Sequence, residues 1–214
     1  MTAKQFYREF VRNTHEKLIW YDSIGRGRSY EEIYKTDESA YTELINKNVI
    51  HNIIKRAGYE PQHEYFRVDT IGWVDAGYKK MEEAKKLGIN RHLWNLMIAV
   101  EHENSKTDWL DEVIKLEHLR CPLKVVIAYN YCDMRDEKEI EKLEFVAKWM
   151  KEIAAYDTNV KEEYLIILGN GEAKKDRTIK YNKFDYRGYL YNFSTGKFDR
   201  ISLETEKNER NSNT

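Results

Sequence analysis

An apolar run of strand length, Leu93-Trp94-Asn95-Leu96-Met97-Ile98-Ala99-Val100, stops abruptly at Glu101-His102-Glu103-Asn104. A run this short and this continuous reads as a strand covered on both faces. Side chains alternate along a strand, so Glu101 and Glu103 point to one side and His102 to the other. Two carboxylates on one face at the end of a core strand repel unless one is protonated or solvated, or a cation lies between them. A hard ion such as Mg2+ suits that oxygen-rich setting.

The other segments tell what surrounds this strand. Phe6, Phe10, Val11 and Leu18 recur at helical spacing over residues 3–19, and Gly25-Arg26-Gly27-Arg28-Ser29 then forms a basic loop. Arg26 and Arg28 in that loop are candidate phosphate ligands. A helix is expected from about Asp37 to Arg56, with Leu44, Ile45, Val49, Ile50, Ile53 and Ile54 in one stripe and Gly58 as its stop. After Pro61, an extended segment from Glu64 to Val74 places Tyr65, Arg67, Asp69, Ile71 and Trp73 on one face. Asp75 to Leu87 reads as a helix ending at Gly88.

Downstream, Thr107 is an expected N-cap for a helix with Trp109, Leu110, Val113, Ile114 and Leu116 on its apolar face, closed before Pro122. A strand over Leu123–Tyr129, an amphipathic helix over Glu137–Tyr156 and a strand over Tyr164–Leu168 follow. Strand, helix, strand, helix, strand from 93 to 168 implies parallel crossovers in a mixed sheet, hence an α/β fold. Around Ser194-Thr195-Gly196-Lys197 an aromatic hairpin spans 178–201, compatible with base stacking and equally with core or dimer packing. The expected organisation is one domain over 1–202, with its core at about 37–168, and a polar tail over 203–214.

With 214 residues, 41% hydrophobic and 13% aromatic, the chain can bury a sizeable core. A net charge of -1 argues against a passive polyanion binder with a broad basic face. Cys121 and Cys132 have no metal-ligand spacing. The charged N-terminal stretch lacks a signal peptide's apolar run, and no segment has the length of a membrane span, so a cytoplasmic location is expected.

Asp69 on a β-segment, then Glu101-x-Glu103 on a core strand, then a helix, resembles the PD-(D/E)xK nuclease superfamily to which many type II restriction enzymes belong. The resemblance covers about residues 37–130 and implies a restriction-endonuclease-like αβββαβ core, with helix 37–56 as its first helix. It further implies that Asp69, Glu101 and the backbone carbonyl of His102 ligate Mg2+, with Mn2+ able to substitute, and that DNA is the substrate. Glu103 stands where the family usually has lysine, as in some restriction enzymes of the superfamily, and would orient or deprotonate the attacking water. Lys115 would then be a migrated lysine, and Glu43 the acid that some members add from the first helix. Asp69 follows Val68 where the family motif has proline. Cutting both strands of a duplex implies a homodimer. The alternative is a non-catalytic nucleic-acid-binding or assembly protein with the same fold.

Overall fold

The computed structural model describes residues 1–15, 20–21, 27–75, 77–89, 94–105, 108–131, 136–153, 162–171 and 184–203. Helix α1 spans Ala3–His15 and is followed by a small antiparallel pair, β1 (Trp20–Tyr21) and β2 (Gly27–Arg28). Helix α2 (Tyr30–Thr36), not anticipated from the sequence, begins at a capping box in which Ser29 and Glu32 each bind the other's backbone N–H.

The helix expected over 37–56 is present as a nearly continuous rod: α3 (Glu38–Leu44), a π-helical segment Ile45–Ile50, and α4 (His51–Arg56). Asp37 caps it by accepting from the Ala40 amide at 3.0 Å. It ends in a Schellman motif, with Gly58 at φ 79 and the amides of Gly58 and Tyr59 bonded to the carbonyls of Lys55 and Ile54.

The extended segment foreseen over 64–74 is instead a hairpin. Strand β3 (Glu60–Tyr65) turns through Phe66 and Arg67 into β4 (Val68–Asp75), with Tyr65 facing Val68. Both turn residues have positive φ, 49 and 65, as a type I′ turn requires. Neither is Gly or Asn, which is why the turn was not legible. Helix α5 (Tyr78–Lys86) starts later than Asp75, which belongs to β4, and stops at Gly88.

Strand β5 (Trp94–His102) runs antiparallel to β4, and β6 (Leu123–Tyr131) and β7 (Glu163–Gly171) follow in parallel. They are linked by α6 (Trp109–Glu117) and α7 (Asp136–Ile153). The expected hairpin is β8 (Arg187–Asn192) and β9 (Lys197–Arg200), completing a mixed seven-stranded sheet in the order β3-β4-β5-β6-β7-β8-β9. The fold is thus α/β, a central sheet flanked by helices.

Alternation along the strands sorts the core. Ile98, Val100, Val125, Ile127, Leu165 and Ile167 pack under the helices α1–α4. Ala99, Val126, Ala128, Ile166 and Leu168 pack against α6 and α7. Gly72 allows α4 its close approach, since a Cβ there would lie 2.7 Å from Ile54 Cγ2 and 2.6 Å from Ile98 Cγ2. Among the described residues no helix is long and apolar enough to cross a membrane. Arg26, Thr107, Cys132, Tyr181 and the tail from 204 lie outside the described residues.

Candidate metal centre

The parity that places Ala99 toward α6 carries Glu101 to the same face and sends His102 to the other. In the β4–β5 ladder Thr70 faces Val100, so Asp69 and Glu101 are the next residues on the two strands. They are stitched together through the backbone: the Asp69 amide donates to Glu101 Oε2 at 3.2 Å, and the His102 amide donates to Asp69 Oδ2 at 2.8 Å.

Lys115, one face of α6 away, closes the group. Its ammonium lies 2.9 Å from Glu101 Oε1, pairs with Glu112 one turn earlier, and donates to the Arg67 carbonyl at 3.1 Å. Glu101 is 1% exposed, yet its Oε1 meets Lys115 without the angles of a well-formed hydrogen bond. Burial, with the charges of Asp69 and Glu112 adding to it, outweighs Lys115 and pushes the Glu101 carboxyl up to about 8. Burial likewise raises Asp69, reinforced by Glu112, and raises Glu103, reinforced by Glu112 and Asp108. For Lys115, burial pulls down, but its ion pairs with Glu112 and Glu101 prevail and hold it above the usual lysine value.

Three of the anticipated residues, Asp69, Glu101 and Lys115, therefore meet. Glu103 lies at the margin, its carboxylate accepting from the Ser105 amide while its own amide donates to the Ile127 carbonyl at 2.9 Å. Glu43 is not gathered with them: it is 62% exposed and pairs with Lys47 at 2.6 Å on the solvent side of α3. Arg28 donates to Thr36 Oγ1 at the C-terminal end of α2, and Arg26 is outside the described residues. The residue not foreseen is Glu112. Its only sequence signal was its place three residues before Lys115 in the acidic first turn of α6.

The His102 side chain points to the opposite face of the sheet, as the alternation of the strand leads one to expect. Its imidazole is buried under α3, where Nε2 lies 3.1 Å from the Tyr129 hydroxyl, and burial drives its pKa down to about 3. Tyr129, Tyr41 and Tyr186 close a ring of hydroxyl contacts at 2.7, 2.8 and 3.2 Å. This neutral network anchors the strand end whose amide grips Asp69.

The oxygen donors here suit a hard cation, and a poorly compensated buried carboxylate is what such an ion would relieve. Among the described residues, however, no three His, Cys, Asp or Glu side chains are grouped so as to hold a metal ion by themselves. Mg2+ does not require that, because it commonly binds one or two carboxylates and completes its shell with water and substrate phosphate. No protein-family model matches the chain, and no curated protein or solved structure matches it significantly.

Proposed function

We propose that this chain is a Mg2+-dependent endonuclease that hydrolyses DNA phosphodiester bonds in the manner of a type II restriction enzyme. The observation that carries the reading is the amide-stitched pair Asp69 and Glu101, from neighbouring antiparallel strands, beside Lys115 at the C-terminal end of a parallel strand. The element order supports it. Helix 38–56, the meander β3-β4-β5, helix α6 and parallel β6 follow the αβββαβ sequence of the PD-(D/E)xK superfamily, with α5 inserted and β7–β9 added.

In this reading Asp69 and Glu101 would hold the ion. When bound, Mg2+ neutralises the charge that develops on the phosphodiester oxygens. Glu103, half-buried and more basic than a usual carboxylate, accepts the proton of the attacking water. Lys115 faces the phosphate with its positive charge. A homodimer supplies one site for each DNA strand.

One observation favours a second reading, a non-catalytic nucleic-acid-binding or assembly protein. Lys115 already supplies a cation to Glu101 and Glu112. Two measurements separate the readings. Plasmid incubated with Mg2+ or Mn2+ is cut by the wild-type protein and not by Glu101→Ala, and calorimetric titration with Mn2+ registers binding that Glu101→Ala loses. A protein that cuts no plasmid, methylated or not, and takes up no Mn2+ refutes the nuclease.

A further inference from the structure

The tip of the β3–β4 hairpin presents Phe66, 79% exposed, beside the exposed Arg67. A two-residue turn with both residues at positive φ is ordinarily built from Asn and Gly, because a side chain is strained there. Phe66 and Arg67 accept that strain at φ 49 and 65, and Glu64 just before them is also left-handed at φ 57. Turn chemistry does not select a phenyl ring at this point. Strain of this kind, held by well-packed surroundings, points to a use for the side chains it displays.

The surroundings are a ladder of rings. Phe66 meets Tyr65 edge-to-face at 4.6 Å, Tyr65 meets Trp94 at 5.3 Å, and Trp94 meets Trp73 at 6.2 Å. The exposed ring is thus the outermost member of a row of aromatic contacts. The tip is also tied to the acids, since Lys115, which pairs with Glu101, donates to the carbonyl of Arg67. An exposed phenyl ring and the exposed Arg67 are therefore neighbours on a hairpin tip whose backbone is bonded to the lysine of the carboxylate pair.

We infer that this tip is a nucleic-acid contact: Phe66 stacks on a base and Arg67 takes an adjoining phosphate, setting the strand beside Asp69 and Glu101. The inference rests on the nuclease reading for its choice of DNA. The chemistry matches it on both counts. Every base offers a π-face to an aromatic platform, and every phosphate accepts from a guanidinium or an ammonium. In a duplex, the ring enters at a base step and loosens its stacking, as apolar wedges do.

The test uses the full chain and a fluorescein-labelled DNA duplex carrying one 2-aminopurine, at low salt in EDTA, so that binding is read without cutting. The wild type binds and raises the 2-aminopurine fluorescence. Phe66→Ala and Phe66→Leu weaken binding by about tenfold and abolish the fluorescence rise, while Phe66→Trp restores both. Arg67→Ala weakens binding and lowers the salt dependence by about one phosphate contact. Because Phe66 is exposed, these variants keep their fold, which thermal melts verify. If Phe66→Ala and Arg67→Ala bind as tightly as the wild type, the inference is overturned even where the wild type cuts plasmid. If the wild type binds no duplex, the tip belongs to a protein surface and the inference falls. Phe66-dependent binding by a protein that never cuts upholds the inference and removes the nuclease.

Discussion

Two glutamates lie almost equally deep in this molecule, Glu101 at 1% exposure and Glu139 at 3%, and their surroundings treat them in opposite ways. Glu139 on α7 receives Arg187 through Nε at 2.7 Å and Nη2 at 2.6 Å, the Tyr189 hydroxyl at 2.6 Å and the Asn130 amide at 2.7 Å. Burial pushes its carboxyl up, but Arg187 and these hydrogen bonds prevail, and the net shift is downward. Glu101 has a backbone amide and one poorly aligned ammonium, and its carboxyl is pushed up to about 8. A buried charge with its acceptor sites filled is part of the scaffold. A buried carboxylate with acceptor capacity left over, next to a second raised one, is the pattern of a candidate functional site.

The largest effect separating the two is expected on removing the partner of the satisfied glutamate. Arg187→Ala leaves Glu139 charged and buried, and such a loss costs about 3–5 kcal/mol. Urea unfolding at neutral pH measures it. A loss below about 1 kcal/mol would mean that Glu139 is not held as the geometry indicates.

Substitution of the unsatisfied glutamate runs the other way. Glu101 titrates at about 8 in the folded chain against an ordinary value of 4.5, so the folded state holds its proton more tightly. Stability from this group is therefore greatest below pH 4.5 and is lost as pH rises toward 8. Glu101→Gln removes that decline. We expect it to raise stability at pH 8 by on the order of 1–3 kcal/mol, the usual cost of an under-bonded buried group, and to eliminate the plasmid cutting that the nuclease proposal predicts. Glu139, with its carboxyl lowered, has the opposite slope: its contribution is present above pH 4.5 and disappears as pH falls through its folded pKa. Melts of wild type and Glu101→Gln across pH 5–9 check this, and parallel curves would refute it.

The two glutamates also differ in how far the sequence discloses them. Glu101 is legible because an apolar run points to a strand and parity then fixes its face, and Asp69 because its segment is extended. The helix 37–56 is legible through its stripe and Gly58, but its π-helical turn leaves no mark, since Ile45, Val49 and Ile50 fit either winding. The Glu139 network is hidden for a physical reason. Arg187 and Tyr189 share a face of β8, but their partner lies 48 and 50 residues earlier on a helix, and no local period links them. The hairpin at Phe66 and Arg67 escaped because turn chemistry is read from Gly, Asn and Pro, and here the surrounding ladder imposes the turn. Ser29-x-x-Glu32 is the one sequence signal of helix α2, whose seven residues are too few to show a periodic stripe and which follows directly on the glycine-rich loop.

The smallest expected effect tests whether satisfaction at Glu139 is redundant. Tyr189→Phe removes one donor at 2.6 Å and leaves the two contacts from Arg187 and the one from Asn130. The charge stays compensated, so the loss is that of one hydrogen bond, about 1 kcal/mol. With less stabilisation of the ionised form, the folded pKa of Glu139 rises, and the acid limb of the stability curve moves to higher pH. Urea melts at pH 7 and pH 4 measure both. If Tyr189→Phe costs as much as Arg187→Ala, the network fails as a unit, Glu139 is poised on a single contact much as Glu101 is, and the contrast between the two carboxylates no longer marks one of them as functional.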